Sequence, residues 1–265
     1  MSPELNAKLQ AVDVEKATLD AARPLPFHSA ASLRDKLTLD WTYHSNAIEG
    51  NSLTLRETKV VLEGIAVGGK SLREHLEAIN HHAAVLYVEE IVAKQEPLTE
   101  WQIMNIHGLV LKGIDRGQAG CYRSENVVIS GTSTTPPDFL QLGEEMHQLI
   151  AWYGQAGQMH PIERAAELHA RFVNIYPFVD GNGCTGRLLM NFDLMKAGYP
   201  PAVIRQVETV AYYDALDEAC LTGVYDGITA LVAEAVQRSL ATYLDLLQLA
   251  QKAKRERNSS TGPSC

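Results

Sequence analysis

Two helical patterns joined by a short glycine-rich break constrain this chain most. From Pro161 onward, positions Ile162, Ala165, His169, Phe172 and Tyr176 recur on one helix face, and a second apolar pattern, Leu188, Leu189, Phe192 and Met195, begins just after Arg187. Pro161 suits a first helical position, where its missing N–H would have been unpaired anyway. Between the two patterns lies Asp180-Gly181-Asn182-Gly183, an acid, an amide and two glycines in a row. Such a break turns the chain and feeds a helix N-terminus, whose first N–H groups lack partners and whose dipole is positive, so that it attracts anions. Glycines let that backbone approach a phosphate closely, and an aspartate beside it is a natural holder for the magnesium ion that accompanies a nucleotide. A tight turn with an N-cap accounts for the same four residues, so local pattern alone leaves both readings standing.

Elsewhere helical periodicity dominates. Leu33, Leu37, Leu39 and Trp41 form one segment, and Leu76, Ile79, Ala83, Leu86 and Ile91 another. Ile103, Ile106, Leu109 and Leu111, the stretch from Leu142 to Trp152, and a long final stretch from about Ile228 to Lys254 suggest three more. The one good strand candidate is Asn126 to Ser130, bounded by Gly120-Cys121-Tyr122-Arg123 before and by Gly131, Thr132, Ser133 and Pro136-Pro137 after, which reads as a hairpin or flap. The expected fold is therefore all-α, a helical bundle with a small β-hairpin flap. The charged and then polar end, 255–265, is expected to be disordered. No internal repeat is visible.

A chain of 265 residues, 46% hydrophobic, can bury one substantial core with an added N-terminal segment. Its formal net charge of -9 argues against general attraction to nucleic acid or an anionic membrane and favours a protein or nucleotide partner. Cys121, Cys184, Cys220 and Cys265 have no metal-ligand spacing and are too few for a disulfide framework, which makes a reducing cytoplasm the expected compartment. The N-terminus lacks the apolar core of a signal peptide, and no run approaches the roughly 18 uninterrupted apolar residues of a membrane span.

The full run Tyr176 to Arg187 resembles the signature of the Fic family, HPFxxGNGRxxR in its consensus, whose members move the AMP of ATP onto protein hydroxyl groups. Pro177, Phe178, Gly181, Asn182, Gly183 and Arg187 match, and Asp180 holds the usual acidic position. Tyr176 stands where the family has its catalytic histidine, and Cys184 where it has the first arginine. The likeness runs from about Leu39 to about Arg205. It implies a Fido-type core over 71–254, with ATP and Mg²⁺ as cofactors. Asp180 would take the metal, Asn182 and the Gly181 and Gly183 backbone would meet the α- and β-phosphates, and Arg187 would reach the γ-phosphate. Val127, Val128 and Ile129 match the family flap, whose exposed backbone edge would hold a target-protein segment as an added strand. An ordinary surface hairpin is the plainer account of the same residues.

Ser45-Asn46-Ala47-Ile48-Glu49-Gly50-Asn51 resembles the family's inhibitory motif, [S/T]xxxE[G/N]. Ser45 and Glu49 would share a helix face, and the resemblance implies that Glu49 pairs with Arg187 and blocks seating of the γ-phosphate. The motif sits in an N-terminal helical region over 1–70. Tyr176 is a poor substitute for the histidine, because a phenol with pKa about 10 is roughly a thousandth ionised at neutral pH, whereas a positioned base contributes about 10²- to 10⁴-fold. Loss of the first arginine removes a charge-assisted contact worth roughly 1.5 to 3 kcal/mol. These features imply an ATP-dependent protein adenylyltransferase fold, autoinhibited by Glu49 and weak or silent. The rival is a nucleotide- or partner-binding regulator without catalysis, and a third reading has Glu49 orient a water to remove AMP. A homodimer stays open. His169 lies two turns, about 10 Å, before Tyr176 and is expected to face the core rather than replace the histidine. His160 is expected to cap or pack, and one of His81 and His82 to be buried.

Overall fold

A computed structural model of the chain describes residues 1–260, with side chains as far as Leu247. The described residues form ten α-helices: α1 (Pro3–Ala21), α2 (Phe27–Ile48), α3 (Leu55–Leu62), α4 (Leu72–Ala93), α5 (Glu100–Val110), α6 (Leu142–Gln155), α7 (Pro161–Ile175), α8 (Asn182–Lys196), α9 (Thr209–Thr222) and α10 (Asp226–Ser260). Three single-turn 3₁₀ segments link some of them. The expected disordered end, 255–265, overlaps α10 as far as Ser260, and positions 261–265 lie outside the described residues.

Local sequence sets the helix starts. Thr54 with Glu57 and Ser71 with Glu74 form reciprocal capping boxes on α3 and α4, each satisfying otherwise orphaned N–H groups. Pro161 opens α7 as its spacing predicts, and His160 caps it, its Nδ1 accepting the Ile162 N–H at 3.2 Å. Among the described helices α1, α3 and α9 lie outside the apolar patterns read from the sequence, although α1 and α9 bury residues at helical spacing, as Tyr212, Leu216 and Ala219 do in α9. In α1 only Leu5, Leu9, Val12 and Leu19 turn inward.

The paired helices α7 and α8 make the most extensive helix contact and stand at the centre. On one side α1, α9 and α10 close over them, with Leu9, Val12, Tyr212, Val232 and Val236 in one apolar cluster. On the other, α4, α5 and α6 contribute Val85, Val88, Ile103, Ile106 and Met146 to a second, together with Phe172, Phe178, Leu188 and Phe192. The expected N-terminal region over 1–70 therefore packs directly on the expected core, α1 against α10 and α2 against α4. Because α8 is covered on all sides, its buried polar groups need partners. Asn191 exchanges hydrogen bonds with the backbone of Ala202 (2.7 and 3.0 Å), and Asp193 takes a two-pronged contact from Arg164 and the Tyr153 hydroxyl at 2.6 Å.

The expected β-hairpin is not formed: among the described residues none is in a strand. The segment with Val127, Val128 and Ile129 is irregular, because no neighbouring backbone offers the ladder of hydrogen bonds that a strand requires. A buried guanidinium holds it in shape instead. Arg123 Nε donates to the Tyr176 carbonyl (3.0 Å), Nη1 to the Glu125 carbonyl (3.0 Å) and Nη2 to the Pro137 carbonyl (2.6 Å), while its own N–H donates to the Pro177 carbonyl (2.9 Å). No described helix is long and apolar enough to cross a membrane.

Candidate functional site

The loop between α7 and α8 owes its shape to two left-handed residues. Tyr176, the C-cap of α7, has φ 50°, and Gly181, just before α8, has φ 75°. For tyrosine that conformation is uncommon and costs on the order of 1–3 kcal/mol, offset here by the Arg123 bond to its carbonyl. At Gly181 a side chain would be strained and would press on Val110 and His107. Asn182 then locks the turn: its amide donates to the Phe178 carbonyl at 2.8 Å and its Oδ1 accepts the Phe178 N–H at 3.0 Å. The Asn182 side chain thus serves the loop itself. No side chain caps α8, so the amides of its first turn stay available.

His107 supports the loop from beneath. Its ring stacks on Phe178 with centroids 3.6 Å apart, its Nδ1 accepts the Gly120 N–H at 3.0 Å, and Nε2 therefore donates to the Asp180 carbonyl at 2.9 Å. Burial lowers its pKa to about 4, so it is neutral and fixed in one tautomer. Asp180 is half exposed; its Oδ1 accepts the Gly181 N–H at 2.7 Å and its Oδ2 accepts from Arg73 at 2.6 Å.

Across the loop α2 ends with Ser45 and Glu49 facing Arg187. Arg187 is buried, with Nε donating to Ser45 Oγ (3.0 Å), Nη1 to the Tyr212 hydroxyl (3.2 Å), and Nη2 to the Ser45 carbonyl (2.9 Å) and Glu49 Oε1 (2.7 Å). Burial opposes its charge, but Tyr212 and Glu49 outweigh that and raise its pKa further. Gly183 lies under this pair, and a Cβ there would overlap Glu49 Oε1. Glycine is what allows the glutamate to lie directly against the first turn of α8. Cys184 is buried in the apolar core, its Sγ 3.8 Å from Ser45 Oγ, and burial pushes its thiol up to about 12. It is neutral, packs in the core, and its Sγ also accepts from Arg187 Nη2 at 3.5 Å.

Tyr176, Glu49 and Gly183 border a cavity of about 480 Å³, lined on its other walls by Val128 to Thr132 with Thr134, and by Tyr212, Tyr213, Leu216 and Asp217 of α9. Thr132 Oγ1 donates to Asp217 at 2.5 Å and ties the irregular segment to α9 across the cavity. The Tyr176 phenol is half-buried, and burial followed by the Glu49 charge raises its pKa. His169 is buried against the Tyr212 hydroxyl at 2.7 Å, with its pKa lowered by burial to about 3, and it faces the core as expected. The structure thus brings Glu49, Tyr176 and Gly183 together at one cavity, with Val128 and Ile129 on its wall; Ser45 and Arg187 are buried behind Glu49, Asn182 is turned into the loop, and Val127, Asp180 and Gly181 lie outside the cavity lining. The sequence pattern did not single out Arg73, His107, Arg123 or Tyr212. A histidine four residues after Ile103 on an apolar helix face was the available signal for His107; a lone arginine inside the Ser71–Glu74 cap gave none for Arg73.

Comparison with known proteins points the same way. The model of the Fic/DOC family matches residues 97–194. The chain is 40% identical over 206 residues to a protein adenylyltransferase Fic of Nematostella vectensis, covering 76% of this chain and 48% of that protein, and 39% identical to one of Aedes aegypti, covering 76% and 41%. It therefore spans about half, or less, of the length of these curated relatives. Among solved structures it resembles Fic-1 from C. elegans (TM-score 0.85, 28% identity, covering 93% of this chain and 73% of that one). It also resembles a Fic domain containing signaling protein from Bacteroides thetaiotaomicron (TM-score 0.82, 28% identity, covering 91% and 97%). Sequence signature, helical fold and relatives agree, and the chain belongs to the Fic/DOC family.

Proposed function

We propose that this chain binds ATP between the α8 N-terminus and the cavity beside it, as an autoinhibited Fic protein whose capacity to transfer AMP to protein hydroxyls is impaired. The observation that carries this reading is the 2.7 Å ion pair between Glu49 and Arg187, lying over Gly183 at the mouth of an uncapped helix. A carboxylate in that position repels the charge a triphosphate would bring, and it occupies the guanidinium that would otherwise meet the terminal phosphate.

In the transfer reaction a hydroxyl oxygen attacks the α-phosphorus, the bond to pyrophosphate breaks, and the hydroxyl proton must go to a base. Tyr176 stands at the base position, but with its pKa raised the phenol is protonated at neutral pH and can donate a proton rather than accept one. Cys184 brings no charge to the phosphates. Binding and obstruction are kept while the proton acceptor is lost. A target segment would lie along Val127 to Ile129, where Val128 is 92% exposed and the backbone has no partner strand.

Mg²⁺ bound with ATP would neutralise phosphate charge and orient the leaving pyrophosphate. As folded, the residues do not fit a resident ion: both Asp180 oxygens are engaged, and among the described residues no group of three or more His, Cys, Asp or Glu side chains is placed to hold one. The test is calorimetric titration of ATP into the natural chain and into Glu49→Gly. Binding should tighten by about tenfold or more in the variant, the scale of one charge-assisted contact regained. Equal affinity in both would contradict the inhibitory role. Absence of binding in both would leave the non-catalytic, partner-binding reading.

A further inference from the structure

We propose that Arg73 is the cation that meets the phosphates at this loop, taking the ground on Asp180 that a divalent ion would otherwise occupy, so that nucleotide binding here needs little or no metal. The proposal rests on the nucleotide reading above and assigns a recognition residue to it.

Three observations converge. First, Arg73 is aimed. It sits in the first turn of α4, its Nη2 donates to Asp180 Oδ2 at 2.6 Å, and its Nε donates to Glu77 Oε1 at 2.8 Å one turn further on. Glu77 is itself held by the amide of Asn51 at 2.9 Å, and Asn51 is buried and also bound to the Glu74 carbonyl. The guanidinium is thus braced from behind by residues that continue directly from the Glu49 segment. Glu77 first, and then Asp180, raise its pKa, so it stays charged at any physiological pH.

Second, a divalent ion is a poor companion for this arrangement. Mg²⁺ binds a carboxylate oxygen at about 2.0–2.1 Å, and on Asp180 it would press two charges against a guanidinium already bonded to the same carboxylate. Third, the other positive charges at the loop are spent. Cys184 is neutral, and Arg187 is shared among Ser45, Glu49 and Tyr212. Arg73 remains, half exposed at the loop mouth, and among the described residues its Nη1 has no hydrogen-bond partner. A planar guanidinium suits phosphate oxygens, and the unpartnered Nη1 can meet one while Nη2 stays on Asp180 and Nε on Glu77.

The experiment uses the full chain carrying Glu49→Gly and ADP as probe, because ADP lacks the terminal phosphate that Arg187 would take. Calorimetry in millimolar Mg²⁺ and in EDTA should give dissociation constants within about threefold of each other while Arg73 is present. Adding Arg73→Gln should weaken ADP about tenfold or more in EDTA, with Mg²⁺ recovering most of the loss and the melting temperature without nucleotide unchanged. Arg73→Lys should fall between, since a lysine keeps the charge and loses the fork. A loss of about tenfold on chelation with Arg73 in place would overturn the proposal. So would an Arg73→Gln affinity in EDTA equal to that of the parent, which leaves the nucleotide reading intact. If the Glu49→Gly chain binds ADP in neither medium, both fall together.

Discussion

Before any ligand arrives, the Arg187 guanidinium is already divided among Ser45, Glu49 and Tyr212. Of these partners only Glu49 lies at the opening, with 41% of its side chain exposed, so it is the contact that can yield while Ser45 and Tyr212 continue to hold the arginine in place. Sequence alone identified Glu49 and Arg187, because each sits in a motif of fixed spacing. It could not show what Asn182 does, since an amide in a glycine-rich turn fits a phosphate contact as well as an internal lock. Asn182→Ala removes both side-chain bonds to the Phe178 backbone in a buried turn. A loss of about 1–3 kcal/mol is expected, read as a lower urea midpoint with an unchanged slope. Arg73 was illegible for a different reason: its partner Asp180 is 107 residues away, and no local pattern encodes such a contact.

The irregular segment from Cys121 to Pro137 is where element and residue types disagree. Val127, Val128 and Ile129 favour a strand, but strand propensity needs a partner, and the fold supplies none. Arg123 closes the segment by gathering carbonyls from both of its ends and from Tyr176. Arg123→Ala should therefore loosen 124–137 and leave the helices in place. Limited proteolysis is expected to cut there first, with helical circular dichroism retained; an unchanged cleavage pattern would show that the guanidinium is not the anchor. Apolar spacing is legible in most of the helices, including α1 and α9 once Leu5, Leu9 and Val12 or Tyr212, Leu216 and Ala219 are set on one face, whereas α3 buries only Thr58 and Val61 and packs on α4. The stability of α3, eight residues long, is tertiary, and its local pattern is correspondingly faint.

At the scale of the whole molecule, two apolar clusters meet across α7 and α8, so the loop between these helices is supported from both sides. Three buried neutral histidines also make that core sensitive to acid. Burial lowers His81 and His169 to about 3 and His107 to about 4, against about 6.5 in the unfolded chain. Because the unfolded state binds the extra protons, their contribution is fully present above about pH 6.5 and is lost as pH falls toward 4. The urea midpoint should be level between about pH 7 and 8 and drop steadily below about pH 6.5; a flat profile down to about pH 5 would show that these rings are not held neutral. On the proposed reading, the same architecture would keep a nucleotide cradle and its obstruction while placing the Tyr176 phenol where a proton acceptor would be needed. The most direct test is incorporation of labelled AMP from ATP by the natural chain, by Glu49→Gly, and by Glu49→Gly with Tyr176→His and Cys184→Arg. No appreciable labelling is predicted for the first two and clear labelling for the third; strong labelling by Glu49→Gly alone would contradict the account.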